Sequence, residues 1–343
     1  MDIVTQGLIG ATLAQAWARP GEVRLASLVG FCAPLLADAD ALISSIEDPL
    51  LYLEYHRHFT HALLFIPFGA LFASVLLWPV LRKRLAFKRV YFYALIGYAT
   101  AGFLDACTSY GTHLLWPFSD DRIAWSIVSI FDPMFSLVLI AAMVFAAVKH
   151  QPFAARAGIV FVAVYLSLGV IQHNRAESLA QLQAQQRGHV AERLIVKPTL
   201  GNLLLWRSVY EADGNYYVDA VRVGLTGNGK VFTGRWVKAF DINLDLPQLT
   251  DQMMLYRDIK RFELFSDGFL AWHPDHSNVL GDVRYAMLPT SISPLWGIEL
   301  NLEAPDRHVS FDTYRSMSGT ERKTFFAMLF NDWPPDPLIK NPG

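Results

Sequence analysis

Up to about residue 172 the chain is a succession of apolar runs broken by short polar turns; beyond it the apolar residues thin out sharply. A helix satisfies its own backbone hydrogen bonds, so runs of this length and character belong in a membrane bundle. The composition agrees. Of 343 residues, 53% are hydrophobic and only 17% charged, and mean hydropathy is positive, which is unusual for a soluble chain of this size. The expected organisation is an α-helical integral membrane bundle over residues 1–175, a helical linker over 176–198 and an extracytoplasmic α+β domain over 199–343. A net charge of −2 gives no general basic footprint, which argues against nucleic acid as a partner. Cys32 and Cys107 both fall in apolar segments and build neither a disulfide framework nor a thiolate zinc site.

The spacing predicts about six helices, near 3–18, 25–36, 61–81, 90–109, 132–149 and 156–172. The first two are close to the lower limit for a span. No basic region precedes the first, so it reads as a retained helix and not a cleaved signal. Asp132-Pro133 has the form of an N-cap followed by an N1 proline. Arg82, Lys83, Arg84, Lys88 and Arg89 mark their loop as cytoplasmic, and the turns with Arg19, Arg24, Lys149 and Arg156 fall on the same side. The other short loops hold only Arg57 and Arg122, which puts the N-terminus and the C-terminal domain on the outer side. Residues 177–193, rich in Ala, Gln and Leu, read as a surface helix or stalk. Beyond them lie a hairpin at Asp213-Gly214-Asn215, a turn at 226–229 and a helix over 247–265. Strands follow near 268–273, 279–287, 295–302 and 307–312, then a helix at 319–330 and a Pro-rich tail. His273, His276 and His308 are scattered and read as surface or turn histidines.

Polar groups concentrate at the predicted outer ends of the helices. His56-Arg57-His58-Phe59-Thr60-His61 packs three imidazoles and a guanidinium into six residues just before an apolar run. Thr5, Gln6, Asp38, Asp40, Asp105, Thr108, Ser109 and Asp132 reach the same side. Asp105, Thr108, Ser109 and Thr112 share one face if their helix continues. Asp38 and Asp40 can serve one site only if the second helix ends there, and Thr60 is placed to N-cap the third. Imidazole and carboxylate without thiolate suit Zn²⁺ first, with Mn²⁺ or Fe as alternatives. Such an ion lowers the pKa of bound water toward neutrality. Arg57 is the natural partner of an anionic phosphoryl oxygen. Asp132 has the simpler role of a helix cap, His58 is the least secure member of the cluster, and Cys107 reads as core.

The elements Met1-Asp2-x-x-Thr5-Gln6-x-x-x-Gly10, Asp38-x-Asp40, His56-Arg57-x-x-Thr60-His61, Asp105-x-x-Thr108-Ser109-Tyr110-Gly111-Thr112 and Trp116-Pro117-Phe118-Ser119 together resemble the YdjM-like membrane-bound metal-dependent hydrolases. The resemblance covers residues 1 to about 175 and implies a bacterial inner-membrane location. It also implies a distant relation to zinc phospholipase C, a helical phosphodiesterase with His and Asp ligands. Many relatives carry His at Gln6 and Pro at Ala37. With this resemblance, Asp40, His56, His61 and Asp105 are the expected metal ligands. Asp38 is expected to orient a ligand or act as general base, and Arg57 to steady the anionic group. The expected activity is hydrolysis of a phosphoester in a membrane lipid or lipid-linked substrate. The rivals are a proton or divalent-cation transporter, since intramembrane Asp and His also mark such pathways, and a non-catalytic membrane assembly protein.

Overall fold

The computed structural model describes residues 1–227 and 229–330. Asn228 of the expected 226–229 turn and the Pro-rich tail from residue 331 lie outside the described residues. The chain divides into two compact units. One comprises Met1–Ile43, Tyr55–Ile171 and Leu200–Leu203; the other comprises Ser44–Glu54, Gln172–Thr199 and the chain from Leu204.

In chain order the first helices are α1 (Ile3–Ala16), α2 (Val23–Leu35), the short α3 (Leu51–Tyr55), α4 (Ile66–Leu81), α5 (Phe87–Cys107), α6 (Pro133–Lys149) and α7 (Phe153–Gln186). Asp2 starts α1 by accepting the Thr5 N–H at 3.0 Å. Asp132 starts α6 in the same way, accepting from Met134 and Phe135, as its sequence context predicts. Among the described residues, Pro20–Leu42, Leu63–Leu81, Phe87–Cys107 and Phe153–Gln186 are long and apolar enough to cross a membrane. Ile3–Ala16 and Pro133–Lys149 are apolar but shorter; at 1.5 Å per residue they reach about 21 and 26 Å, against a hydrocarbon core of about 30 Å.

Small residues bring the first unit's helices together. A Cβ on Gly30 would lie 2.4 Å from the Gly10 carbonyl oxygen, and one on Gly97 would lie 2.7 Å from that of Gly30. Helices α1, α2 and α5 therefore meet backbone to backbone, as membrane helices do where side chains are absent. Phe68, Phe72, Leu76 and Val80 repeat every fourth residue along α4 and are exposed, as are Leu137, Val144 and Val148 on α6. Such apolar faces suit lipid. The basic turns meet at one end of this unit. Arg24 Nε donates to Ala147 O and Arg156 Nε to Ala16 O, both at 3.0 Å, and Arg89 pairs with Glu22 at 2.7 Å. Helix direction then puts Asp2, the turn after α2, the end of α5 and Asp132 at the opposite end.

The second unit holds two antiparallel four-stranded sheets. The first is β1 (Arg193–Pro198), β2 (Leu205–Ala212), β3 (Asn215–Arg222) and β4 (Lys230–Lys238), paired in that order. Asp213 and Gly214 both have positive φ, +50° and +69°, which is the tight hairpin that the Asp-Gly-Asn sequence predicts. After α8 (Ile242–Asp245) and α9 (Met254–Phe265) comes the second sheet, β5 (Leu270–Trp272), β6 (Val279–Asp282), β7 (Trp296–Glu299) and β8 (Ser310–Thr313), followed by α10 (Gly319–Phe330).

Three expectations are corrected here. Helix α7 ends at Gln186, and residues 193–198, expected in the helical linker, form β1. Gly188, at φ +78°, ends the helical path, and Ile195 and Val196 suit a strand. Nor is the Ala-rich stretch a free stalk. Ala176, Ala180 and Ala184 line a buried face of α7 that packs against Val196, Trp206, Val221 and Tyr210. The helix expected over 247–265 begins only at Met254.

Arg261 of α9 ties residues 44–54 to the rest of this unit, with His308 Nδ1 3.9 Å from Asp48 beside it. Its guanidinium donates to Asp48 at 2.9 and 3.0 Å, to Glu54 at 2.6 Å and to the fully buried Asp258 at 2.8 Å.

Candidate metal centre

The helix α2 stops at Leu35 and the chain tightens into a 3₁₀ turn over Ala37–Leu42. That turn settles how two carboxylates spaced by one residue reach one site. Asp38 Oδ1 lies 3.4 Å from His61 Nε2, while Asp40 Oδ2 lies 3.2 Å from His61 Nδ1. The two acids hold opposite edges of the same imidazole. His61 sits in its own single turn, Phe59–His61, and is 2% exposed. Asp105, fully buried in the last turn of α5, brings Oδ2 to 3.1 Å from His61 Nε2.

Backbone fit makes this approach feasible. Gly102 stands one turn before Asp105, and a Cβ there would lie 2.1 Å from the His61 carbonyl oxygen. Tyr98, one turn further back, donates its hydroxyl to Thr60 O at 2.9 Å. Asp105, Gly102 and Tyr98 therefore present one face of α5 to the 59–61 turn.

Asp40 is the hub of the surrounding hydrogen bonds. It accepts from Thr60 Oγ1 at 2.5 Å and Arg57 N at 2.9 Å, and its Oδ1 meets His56 Nδ1 at 3.1 Å. Carboxylates face both ring nitrogens of His61, Asp40 at Nδ1 and Asp38 and Asp105 at Nε2; in the tautomer protonated at Nδ1 the ring donates to Asp40. Nε2 then turns a lone pair toward Asp38 and Asp105. It is buried and has no hydrogen-bond partner among the described residues. A lone pair facing two carboxylates repels them unless the ring takes a second proton or a cation lies among the three groups. Asp38, His61 and Asp105 each offer a ligand atom within 4.8 Å of the others, so the donor set fits a metal ion.

Arg57 is 5% exposed and has φ +63°, an uncommon conformation for a side chain of this size. This backbone aims its N–H at Asp40 and lets its carbonyl accept from His113 N at 3.1 Å. The guanidinium lies at ion-pair distance from Asp105 Oδ2, 3.2 Å, and donates to Thr108 Oγ1 at 3.1 Å. Gln6 Nε2 also donates to Asp105 Oδ2 at 3.1 Å, and the Met1 amino group contacts Oδ1.

The structure thus brings Asp38, Asp40, Arg57, His61 and Asp105 together, with His56 joined through Asp40. His58 stands apart, its ring 4.5 Å from that of His113 and 5.6 Å from that of Trp116. Burial lowers the pKa of His58, and burial with the nearby Arg122 takes His113 down to about 4. Thr60 does not N-cap a long helix, since α4 begins only at Ile66 and the Thr60 hydroxyl serves Asp40. The expected shared face of Asp105, Thr108, Ser109 and Thr112 is lost because α5 ends at Cys107; Thr112 pairs with Ile123 instead. Glu54, the only carboxylate at helical spacing from Arg57, pairs with Arg261. Tyr98 and Gly102 escape a search for chemistry; the available signal is their i−7 and i−3 spacing from Asp105.

Residues 1–176, which hold all of these groups, match the family model of the YdjM inner membrane protein. The chain belongs to this family. With four helices of spanning length and composition among its described residues, this YdjM-family chain is a membrane protein. It is also similar to "Uncharacterized protein YfhP" of Bacillus subtilis (strain 168), 24% identical over 201 residues. That match takes in 57% of this chain and 58% of the relative's length. No solved structure matches.

Proposed function

We propose that this YdjM-family protein is a membrane-bound, metal-dependent hydrolase that cleaves a phosphoester of a lipid or lipid-linked substrate. The carrying observation is the buried Nε2 of His61, 3.1 Å from Asp105 and 3.4 Å from Asp38, with its other nitrogen held by Asp40. In this account Asp38, His61 and Asp105 hold the ion, zinc before manganese or iron. Three protein ligands leave room for substrate and water, as catalytic sites require. The ion, when bound, supplies Lewis acidity toward an ester oxygen and acidifies water near neutral pH.

The chain's own groups do the rest. Asp40 fixes the His61 tautomer and ring plane, the task of a carboxylate behind a ligating imidazole. Asp38 and Asp40 thereby exchange the roles that their sequence context suggests, and His56 acts through Asp40 and is not itself a ligand. Arg57 has its fork beside Asp105 and is placed to receive a phosphoryl oxygen with planar, two-pronged geometry. We read α1 and α6 as further spans, giving six, because their ends lie with those of the longer helices. The basic turns at the other end favour a cytoplasmic location for that end, with the site and the C-terminal α+β unit on the periplasmic side.

The test is turnover of phospholipid and lipid-phosphate substrates by purified protein loaded with zinc. Wild type should hydrolyse at least one such substrate. Arg57→Lys should keep the metal and lose about tenfold to a hundredfold in rate, the worth of one charge-assisted contact made in the transition state. Zinc transport without hydrolysis would overturn the proposal in favour of a transporter.

A further inference from the structure

The second unit contains a cavity of about 610 Å³ lined by residues of β4, the loops after β5, β6 and β8, and α10. Its volume lies within the range of small-molecule sites. One wall is a triangle of rings, His273, His276 and Tyr314, with centroids 4.6, 4.7 and 4.9 Å apart. His273 is 5% exposed, and its hydrogen bonds fix its tautomer. The Asp275 N–H donates to Nδ1 at 3.1 Å, so Nε2 carries the proton and donates to Ser293 Oγ at 3.2 Å. His273 therefore cannot take the Ser293 proton, and the pair is not a nucleophile with its base. The arrangement instead leaves the Ser293 hydroxyl hydrogen available to a ligand.

Arg235 and Arg315 line the same cavity, are exposed, and have no ion-pair or hydrogen-bond partner among the described residues. Two acidic residues also line it. The Glu321 carboxylate is used within the cap of α10, accepting from Ser318 N at 2.8 Å. Asp275 is exposed on the segment that carries His273 and His276. Two guanidinium groups with a directed hydroxyl suit a phosphate dianion, since arginine forks match its oxygens. Two guanidinium contacts use little of this volume. The remaining wall, with the aromatic Tyr314 and the hydroxyls of Thr290 and Thr324, suits a hydroxyl-bearing body of about the size of a sugar.

We propose that this cavity is a binding site for a phosphorylated sugar or polyol, its phosphate taken by Arg235 and Arg315 and by the Ser293 hydroxyl. The site is independent of the membrane centre and performs no chemistry on its ligand.

The experiment is calorimetric titration of the full-length protein in detergent with glucose 6-phosphate, glucose, glucuronate and inorganic phosphate. It is run in EDTA on the Asp105→Asn chain, so that binding cannot be credited to the metal centre. Glucose 6-phosphate should bind saturably and more tightly than inorganic phosphate, and glucose should not bind. Arg235→Gln and Arg315→Gln should each weaken binding by about tenfold or more, one charge-assisted contact apiece. Both side chains are exposed, so neither change should disturb folding. Absence of saturable binding, equal binding of glucuronate, or unchanged affinity in the double variant would overturn the proposal.

Discussion

Replacing Asp40 with asparagine tests the proposed division between an orienting carboxylate, Asp40, and a ligating one, Asp38. Asp40 is 2% exposed and stands against His56 Nδ1, Arg57 N, Thr60 Oγ1 and His61 Nδ1 at 2.5–3.2 Å. Alanine would strand these buried donors, at about 1–3 kcal/mol for each unsatisfied group, and would test folding more than metal binding. Asparagine keeps the shape and one acceptor oxygen but removes the charge that holds the Nδ1 proton of His61. Removing such a partner from behind a ligating histidine lowers metal affinity by about 10–100-fold, or about 1.4–2.7 kcal/mol. Asp38→Asn removes a carboxylate that faces Nε2 itself and should cost more. The assay is zinc titration of both purified variants against a competing chelator, with helix content checked by circular dichroism. Asp40→Asn abolishing binding while Asp38→Asn leaves it intact would refute the assignment and return Asp40 to the ligand set.

Gly102→Ala places a methyl 2.1 Å from the His61 carbonyl oxygen and must push the 59–61 turn aside by about 1 Å; zinc affinity and turnover should fall, the latter by about a hundredfold, while α5 stays helical. Wild-type values for both would mean that the turn is not fitted to the helix. Arg261→Ala takes the guanidinium from Asp48, Glu54 and the buried Asp258. Asp258 keeps His308 and the Val309 N–H, so the second unit should lose about 1–3 kcal/mol, and amide exchange in residues 44–54 should quicken; unchanged exchange there would show that the clamp does not hold the segment. Lys197 is buried against Tyr285, its Nζ 3.2 Å from the hydroxyl, and burial followed by the charge of Arg284 pushes its pKa down to about 7. An unfolded lysine keeps its proton to about pH 10.4, so between these values the unfolded chain binds more protons and stability rises with pH. Lys197→Met should raise the melting temperature of the second unit at pH 7 and flatten its rise toward pH 10; an unchanged slope would contradict the buried-lysine argument.

Much of this architecture is legible from local pattern. The apolar runs, the Asp132-Pro133 helix start and the Asp213-Gly214 hairpin are each decided by a few neighbouring residues. Convergence of Asp38, Asp40, the 56–61 segment and Asp105 can be anticipated because each lies at a helix end on one side of the bundle. Which acid faces which nitrogen of His61 cannot be anticipated. It depends on a 3₁₀ turn over Ala37–Leu42, on a left-handed Arg57 and on a glycine contact across helices. The strand Arg193–Pro198 and the buried alanine face of α7 are set by tertiary pairing, which overrides the helical composition around them. Residues 44–54 are tied into the second unit by ion pairs with Arg261, more than 200 residues away, which no local pattern reveals.

In the proposed function, Asp38, His61 and Asp105 hold a metal ion. The direct measurement is elemental analysis of the full-length protein purified from membranes without chelator, repeated after zinc titration. Wild type should carry close to one transition-metal ion per chain. His61→Ala and Asp105→Ala should carry almost none while remaining inserted in the membrane and helical. Wild-type protein that contains no transition metal and gains none on titration would leave His61 as a hydrogen-bond partner of its carboxylates alone, and the metal centre would be contradicted.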